Sequence, residues 1–161
     1  MAKERPLPSK SLPIAPESEN GHSASLVQVL VVEDNEPFRQ FVCSSLGKRP
    51  GMQIMCEVSD GLEAVQKAEE LQPHLITLDI GLPGLNGIEA AQRIRMLSPK
   101  SKILFVSQES SIDIVQHALS SGALGYVIKV HAASELLAAV EAVLRGEQFV
   151  SGKLTDGNGQ Y

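Results

Sequence analysis

The sequence predicts an α/β fold in which one parallel β-sheet carries helices on both faces. Short, almost wholly aliphatic runs of strand length alternate with stretches whose apolar residues recur at helical spacing. The runs are continuous rather than alternating, which is typical of parallel strands buried on both faces. Strands that alternate with helices favour right-handed crossovers within one sheet. Five strand–helix units fit into about 120 residues.

Length and composition limit the function classes. The chain has 161 residues, of which 43% are hydrophobic and only 4% aromatic, so we expect one domain with an aliphatic core. The net charge of -5 argues against a nucleic-acid-binding surface, which needs clustered Lys and Arg. No apolar run approaches the ~20 residues that cross a bilayer, and the amino terminus lacks a signal-peptide pattern. We therefore expect a cytoplasmic protein without membrane or nucleic-acid contacts of its own.

The first predicted strand, Leu26–Val32, is aliphatic and β-branched and is followed at once by Glu33 and Asp34. Four of the nine prolines lie before it, with little apolar periodicity, which predicts a disordered leader over residues 1–24. The segment 34–37 carries a helix-start signal, so a capping role is expected to explain at least one of the two acids.

The next two units are marked by turn and capping signals. The second strand, Met52–Val58, is followed by Asp60 and, three residues later, Glu63, which resembles a capping box at the start of a helix. The third strand, Leu75–Leu78, ends in Asp79 and a Gly/Pro-rich turn. Ligands of open α/β sheets bind at the carboxyl ends of strands, so Asp79 is a candidate for chemistry, with turn capping as the alternative.

The last two units repeat this pattern. An Asn-Gly pair at 86–87 precedes the third helix, and the fourth strand, Ile103–Val106, ends in Ser107. The next helix, 111–120, is weakly apolar. The fifth strand, Gly125–Ile128, ends in Lys129, and a final helix runs from about 133 to 144.

Polar side chains thus follow four of the five strands, and in a parallel sheet they converge on one edge. They are Glu33, Asp34, Asp79, Ser107 and Lys129. Neighbouring carboxylates raise each other's pKa, and a hard divalent cation relieves this. All-oxygen ligands suit Mg²⁺, so we predict Asp34 and Asp79 as direct ligands with the Gly81 carbonyl, and Glu33 as a direct or water-mediated helper.

A cation beside a carboxylate, a hydroxyl and an ammonium is typical of a phosphoryl-transfer site. Asp79 is suited to attack phosphorus and form an acyl phosphate, while Lys129 neutralises phosphoryl charge and Ser107 donates a hydrogen bond. Taken singly, the serine and the lysine are equally typical of caps and solvated strand ends. Their common placement at strand ends favours the site.

These motifs together resemble the receiver domain of two-component response regulators, of the NarL/FixJ type. The features that carry the resemblance are Glu33-Asp34, the Asp79 strand followed by Leu-Pro-Gly-Leu-Asn-Gly at 82–87, Ser107, and Tyr126 three residues before Lys129. The resemblance covers residues 26–149 and places the receiver domain at 25–150. It implies a flavodoxin-like (βα)5 fold with strand order 2-1-3-4-5.

The resemblance also implies the roles of these residues. Asp79 is the expected phosphoacceptor for a histidine kinase, Glu33 and Asp34 the acidic metal pocket for Mg²⁺, and Lys129 the phosphate-binding lysine. Ser107 and Tyr126 match the switch pair of the family; the alternative for Tyr126 is a half-buried ring with a solvated hydroxyl. Gly81 leaves one side of the site open to water, which predicts a short-lived phosphorylated form.

The sequence is compatible with more than one output for such a receiver. Receivers of this type usually precede a helix-turn-helix domain, whereas residues 151–161 form a short polar stretch that predicts a flexible tail. We expect output through a protein partner or a missing effector domain, with a weak dimer through the last two helices and the fifth strand as one expected assembly. The alternatives are a phosphorylation-independent pseudo-receiver, a fragment of a DNA-binding regulator and, less favoured by the acidic pair, a flavin-binding protein. Cys43 and Cys56 are predicted to be buried and unpaired.

Overall fold

The computed structural model describes residues 26–152, so the predicted leader over residues 1–24 lies outside the described residues, as does most of the predicted tail. The strands are β1 (Val27–Val32), β2 (Met52–Val58), β3 (Leu75–Leu78), β4 (Lys102–Ser107), β5 (Gly125–Ile128) and β6 (Phe149–Val150). The helices are α1 (Glu36–Gly47), α2 (Gly61–Leu71), α3 (Gly87–Leu97), α4 (Ile112–Ser120) and α5 (Ala132–Leu144), with a 3₁₀ turn at Lys129–His131 before α5.

All strands pair in parallel in one sheet of order β2-β1-β3-β4-β5-β6. This confirms the flavodoxin-like prediction and the order 2-1-3-4-5 of the first five strands. The sixth strand was not predicted; it places Phe149 opposite Gly125 and Val150 opposite Tyr126. Two residues are too few to show the periodicity on which a sequence-based strand assignment depends.

Helices cover both faces of the sheet, as the alternating pattern predicts. Apolar residues of α1 and α5 pack on one face, and those of α2, α3 and α4 pack on the other. The core is aliphatic; among the largest fully buried side chains of residues 26–152, Phe105 and Tyr126 supply the aromatic rings. Cys43 and Cys56 are unpaired but only partly buried. Within residues 26–152, every helix is too short or too polar to span a bilayer.

Side chains cap the helices that begin next to the site. Asn35, Asp60 and Asn86 accept hydrogen bonds from first-turn N–H groups of α1, α2 and α3. At α1 the cap is Asn35, whose Oδ1 accepts from the Phe38 N–H at 2.9 Å. The expectation that a capping role explains one of the two preceding acids is therefore wrong, and both carboxylates are left for the edge of the sheet.

Candidate functional site

The polar residues that end four of the strands lie together at the carboxyl edge of the sheet. A cavity of about 320 Å³ is lined there by Asp34, Asp79, Ser107 and Lys129, and also by Gly81. The parallel pairing of β1, β3, β4 and β5 brings these strand ends side by side. The structure thus assembles the residues that the sequence places at strand ends.

Three carboxylates form an acidic cluster beside this cavity. One oxygen from each of Glu33, Asp34 and Asp79 lies within 4.8 Å of the other two. Glu33 and Asp79 are buried, whereas Asp34 is exposed to solvent. Since two of the charges are withdrawn from water, the cluster requires a cation close by.

Lys129 supplies that positive charge within the protein. Its Nζ lies 3.0 Å from Glu33 Oε2 and 3.1 Å from Asp79 Oδ2. It also sits 4.7 Å from the centre of the Phe38 ring, which adds a cation–π contact. Burial lowers the pKa of Lys129, but the hydrogen bonds and charges of the two carboxylates outweigh it and raise that pKa. The ammonium therefore stays charged.

Glu33 is held from several sides. Its Oε2 accepts from the Asn35 N–H at 3.0 Å as well as from Lys129. The Arg39 guanidinium donates to the Glu33 carbonyl at 2.9 Å. Burial raises the pKa of the Glu33 carboxyl, and the charge of Asp79 adds to this, against the lowering effect of the Asn35 and Lys129 hydrogen bonds. Sequence analysis missed the part played by Arg39, because no local pattern links its guanidinium to this strand end.

Asp79 lies in a tightly fixed turn. Its Oδ1 accepts from the Ile80 N–H at 2.7 Å, while Oδ2 accepts from Lys129. The Gly87 N–H donates to the Ile80 carbonyl at 2.7 Å and closes the turn into α3. A Cβ on Gly87 would lie 1.9 Å from the Asp79 carbonyl oxygen, so only glycine fits there. Gly81 differs, because an added Cβ there meets nothing within 4 Å.

Ser107 and Tyr126 are joined through one residue of the β4–α4 loop. The Ser107 Oγ accepts from the Glu109 N–H at 3.2 Å, and the Tyr126 hydroxyl donates to the Glu109 carbonyl at 2.8 Å. Tyr126 is 0% exposed, so the alternative of a half-buried ring with a solvated hydroxyl is wrong. Burial raises the pKa of Tyr126 to about 12, although the Ser107 side chain acts in the opposite direction.

Comparisons with known proteins agree with this arrangement. The family model described as the response regulator receiver domain matches residues 29–141. The transcriptional regulatory protein DegU of Brevibacillus brevis is 32% identical over 129 residues, which are 80% of this chain and 55% of DegU. This chain thus spans little more than half the length of that relative.

Solved structures give the same result. A LuxR-family two-component response regulator from Aurantimonas sp. SI85-9A1 superposes with a TM-score of 0.74 at 31% identity, over 78% of this chain and 89% of that one. The receiver domain of a putative response regulator NarL from Mycobacterium tuberculosis gives 0.72 at 28% identity, over 76% and 99%. Sequence, sheet order and the matched range agree that this chain belongs to the receiver domains of two-component response regulators.

Proposed function

We propose that this chain accepts a phosphoryl group from a histidine kinase on Asp79 and thereby switches the binding of an output partner. The observation that carries the proposal is the buried Asp79 carboxylate, 3.1 Å from the Lys129 ammonium at the wall of the 320 Å³ cavity. A carboxylate next to a fixed cation and an open space has the groups that phosphoryl transfer requires.

In the transfer, an Asp79 carboxylate oxygen attacks the phosphorus of a kinase phosphohistidine. A P–O bond forms as the P–N bond breaks, and the imidazole nitrogen keeps the electron pair and takes up a proton from water. Lys129 neutralises charge on the phosphoryl oxygens, and the Ser107 hydroxyl donates to one of them. Ser107 lines the cavity beside Asp79, and its Oγ accepts from the Glu109 N–H at 3.2 Å, which leaves the hydroxyl hydrogen able to turn towards a phosphoryl oxygen.

The acidic cluster fits Mg²⁺ as cofactor, because its donors are all oxygen atoms. Asp34, Asp79 and the Gly81 carbonyl would hold the ion, with Glu33 acting directly or through water. When bound, the ion adds positive charge beside the phosphoryl oxygens. We expect Asp34→Asn to weaken Mg²⁺ binding at least roughly tenfold in calorimetry, since it removes a charged ligand. Asp113→Asn, an exposed acid on α4, is the matched control and leaves it unchanged.

Intact-mass measurement after incubation with acetyl phosphate tests the phosphoacceptor. We expect a Mg²⁺-dependent gain of one phosphoryl group in the wild type and in Asp113→Asn, and no gain in Asp79→Asn. Absence of any gain in the wild type would refute the proposal and favour the phosphorylation-independent interaction module instead.

The proposal includes a short lifetime for the acyl phosphate. Gly81 is exposed and lines the cavity, so water reaches the phosphorus from that side. A side chain at this position has room, because an added Cβ meets no atom within 4 Å. We expect Gly81→Met to lengthen the half-life of the phosphorylated protein several-fold by shielding this side. An unchanged half-life, or one of many hours in the wild type, would contradict the role of the open side.

The output of the switch is also part of the proposal. Phosphorylation draws Ser107 towards the phosphate, and the Glu109 backbone carries this movement to Tyr126 in β5. We place the output contact on α4, β5 and α5, either with a separate protein or effector domain or as a weak dimer. A cytoplasmic location is proposed with it.

A further inference from the structure

The strand β6 and the residue after it cover the outer edge of β5. They lie beyond residues 29–141, which match the receiver family. The Phe149 N–H donates to the Leu124 carbonyl at 3.2 Å, and the Ser151 N–H donates to the Tyr126 carbonyl at 2.9 Å. Phe149 packs against the core on the α1 and α5 side, and Val150 packs against the core on the other side. Residues 149–151 therefore complete both the sheet and its two cores.

The side chain of Ser151 links β5 to α5. Its Oγ accepts from the Ile128 N–H at 2.9 Å and donates to the Glu135 carboxylate of α5. Together with its own N–H on Tyr126, this serine links two positions of β5 to α5. Ser151 is only 2% exposed, although it begins the predicted tail. A buried hydroxyl that both donates and accepts is costly to release without replacement partners.

Both β5 partners of Ser151 are next to the phosphorylation site. Ile128 directly precedes Lys129, whose Nζ lies 3.1 Å from Asp79 Oδ2. A phosphoryl group on that oxygen takes the place of this contact, so the ammonium has to shift to the phosphoryl oxygens. The Tyr126 hydroxyl donates a hydrogen bond to the Glu109 carbonyl, in the loop that follows Ser107. Phosphorylation therefore perturbs both ends of the short stretch of β5 that holds Ser151.

We propose that residues 149–151 form an edge latch that phosphorylation of Asp79 releases, with Ser151 as its positioning residue. This inference rests on the proposed phosphoacceptor function. Release uncovers the outer edge of β5, so the signal reaches the carboxyl end of the described residues. Because coupling between two equilibria is reciprocal, an open latch favours occupation of the site by the same factor by which occupation favours opening of the latch.

Amide exchange of the full chain, followed by NMR with and without beryllium fluoride and Mg²⁺, tests the latch. The Ile80 amide donates to Asp79 Oδ1, so its chemical shift reports binding at the site. We expect the amides of Ile128, Phe149 and Ser151 to exchange roughly five- to thirtyfold faster with the analogue, as loss of one or two net hydrogen bonds predicts. Leu30, fully buried in the interior strand β1, is the internal control and keeps its rate.

This experiment distinguishes failure of the phosphoacceptor proposal from failure of the latch proposal. No shift of the Ile80 amide would refute the phosphoacceptor site and the latch with it. A shift of Ile80 without faster exchange at residues 128, 149 and 151 would refute the latch alone.

Ser151→Ala tests the positioning role against a merely structural one. We expect faster exchange of the Ile128 amide without the analogue, and tighter beryllium fluoride binding by up to about fivefold, as reciprocity requires. Ser134→Ala is the matched control, because that exposed serine of α5 only donates to the His131 carbonyl, at 3.2 Å. If Ser151→Ala binds the analogue no more tightly than Ser134→Ala, the serine merely supports the fold and the latch proposal fails.

Discussion

Replacement of Lys129 by methionine removes the positive charge between two buried carboxylates. Glu33 Oε2 and Asp79 Oδ2 lie 3.0 and 3.1 Å from its Nζ, and the two acids are 3% and 7% exposed. Methionine retains the apolar stem, so the change isolates the charge. We expect Lys129→Met to fold but to lose stability at neutral pH without Mg²⁺.

The size of the loss follows from the geometry. Two carboxylate charges within 4.8 Å repel each other by roughly 3.5 kcal/mol at an effective dielectric constant of about 20. Removal of one partner from a buried ion pair typically costs about 3–5 kcal/mol. Because the Lys129 side chain is 17% exposed, we take the lower end and expect a loss of about 3 kcal/mol in the free energy of unfolding.

The loss depends on pH in a defined direction. Burial raises the pKa of Glu33 in the folded state, and without Lys129 the unscreened charge of Asp79 raises it further. A carboxyl with a raised pKa binds protons more tightly in the folded state than in the unfolded state, so its contribution to stability is present at low pH and lost as pH rises through the folded pKa. The deficit of Lys129→Met therefore shrinks as the pH falls below neutral.

Urea denaturation at neutral and mildly acidic pH, with and without Mg²⁺, measures these effects. We expect the neutral-pH midpoint to fall by roughly 1–2 M relative to the wild type, and Mg²⁺ to restore part of it. Lys67→Met, which breaks the pair with Glu70 on the surface of α2, is the control and changes the midpoint little. An equal loss at both pH values, or none at neutral pH, would refute the electrostatic account of this site.

Three further predictions concern single groups. Gly87→Ala places a methyl group 1.9 Å from the Asp79 carbonyl oxygen and should cost roughly 2–3 kcal/mol in urea denaturation, whereas Gly47→Ala meets nothing within 4 Å and should not destabilise. Burial raises the pKa of Tyr126 to about 12 from 10.0, so in an alkaline titration the absorbance difference between wild type and Tyr126→Phe should show phenolate only near pH 12. Phenolate formation near pH 10 would mean that the Tyr126 ring is solvated. Burial raises the pKa of Cys43 to about 11 from 9.0, so iodoacetamide should alkylate it roughly a hundredfold more slowly than free cysteine at neutral pH, and an equal rate would contradict its burial.

The position of the site was predictable because strand ends are marked in the sequence. Asp79 and Lys129 each follow a short aliphatic run, and parallel topology alone brings such positions to one edge of the sheet. The direct contact between Glu33 and Lys129, which are 96 residues apart, follows from the same rule. The helix starts at Asp60 and Asn86 were equally predictable from the sequence, because these residue types favour helix N-caps and their side chains do accept from first-turn N–H groups.

Features that depend on packing were not predictable in this way. Tyr126 can be fully buried because the Glu109 carbonyl accepts a hydrogen bond from its hydroxyl, and no local sequence pattern indicates that partner. The contact between the Phe38 ring and the Lys129 ammonium, which lie on distant parts of the chain, is likewise not marked by any local pattern. The contacts of Ser151 with β5 and α5 could not be predicted for the same reason: they depend on packing. In the sequence, a single serine after an apolar pair resembles the start of a tail.

The added strand has a consequence for how this domain behaves when it is shortened. A chain cut at residue 145, just beyond the end of the family match at residue 141, would keep all of α5 but lack β6 and leave the backbone of Gly125–Ile128 without cover on its outer side. All four residues of that strand are buried, so the bare edge would be apolar as well as unpaired. An exposed apolar strand edge can pair with strands of other molecules, whereas β6 has only two residues and offers too short an edge for such pairing. Solubility of this domain in concentrated solution therefore depends on keeping the chain intact through Ser151.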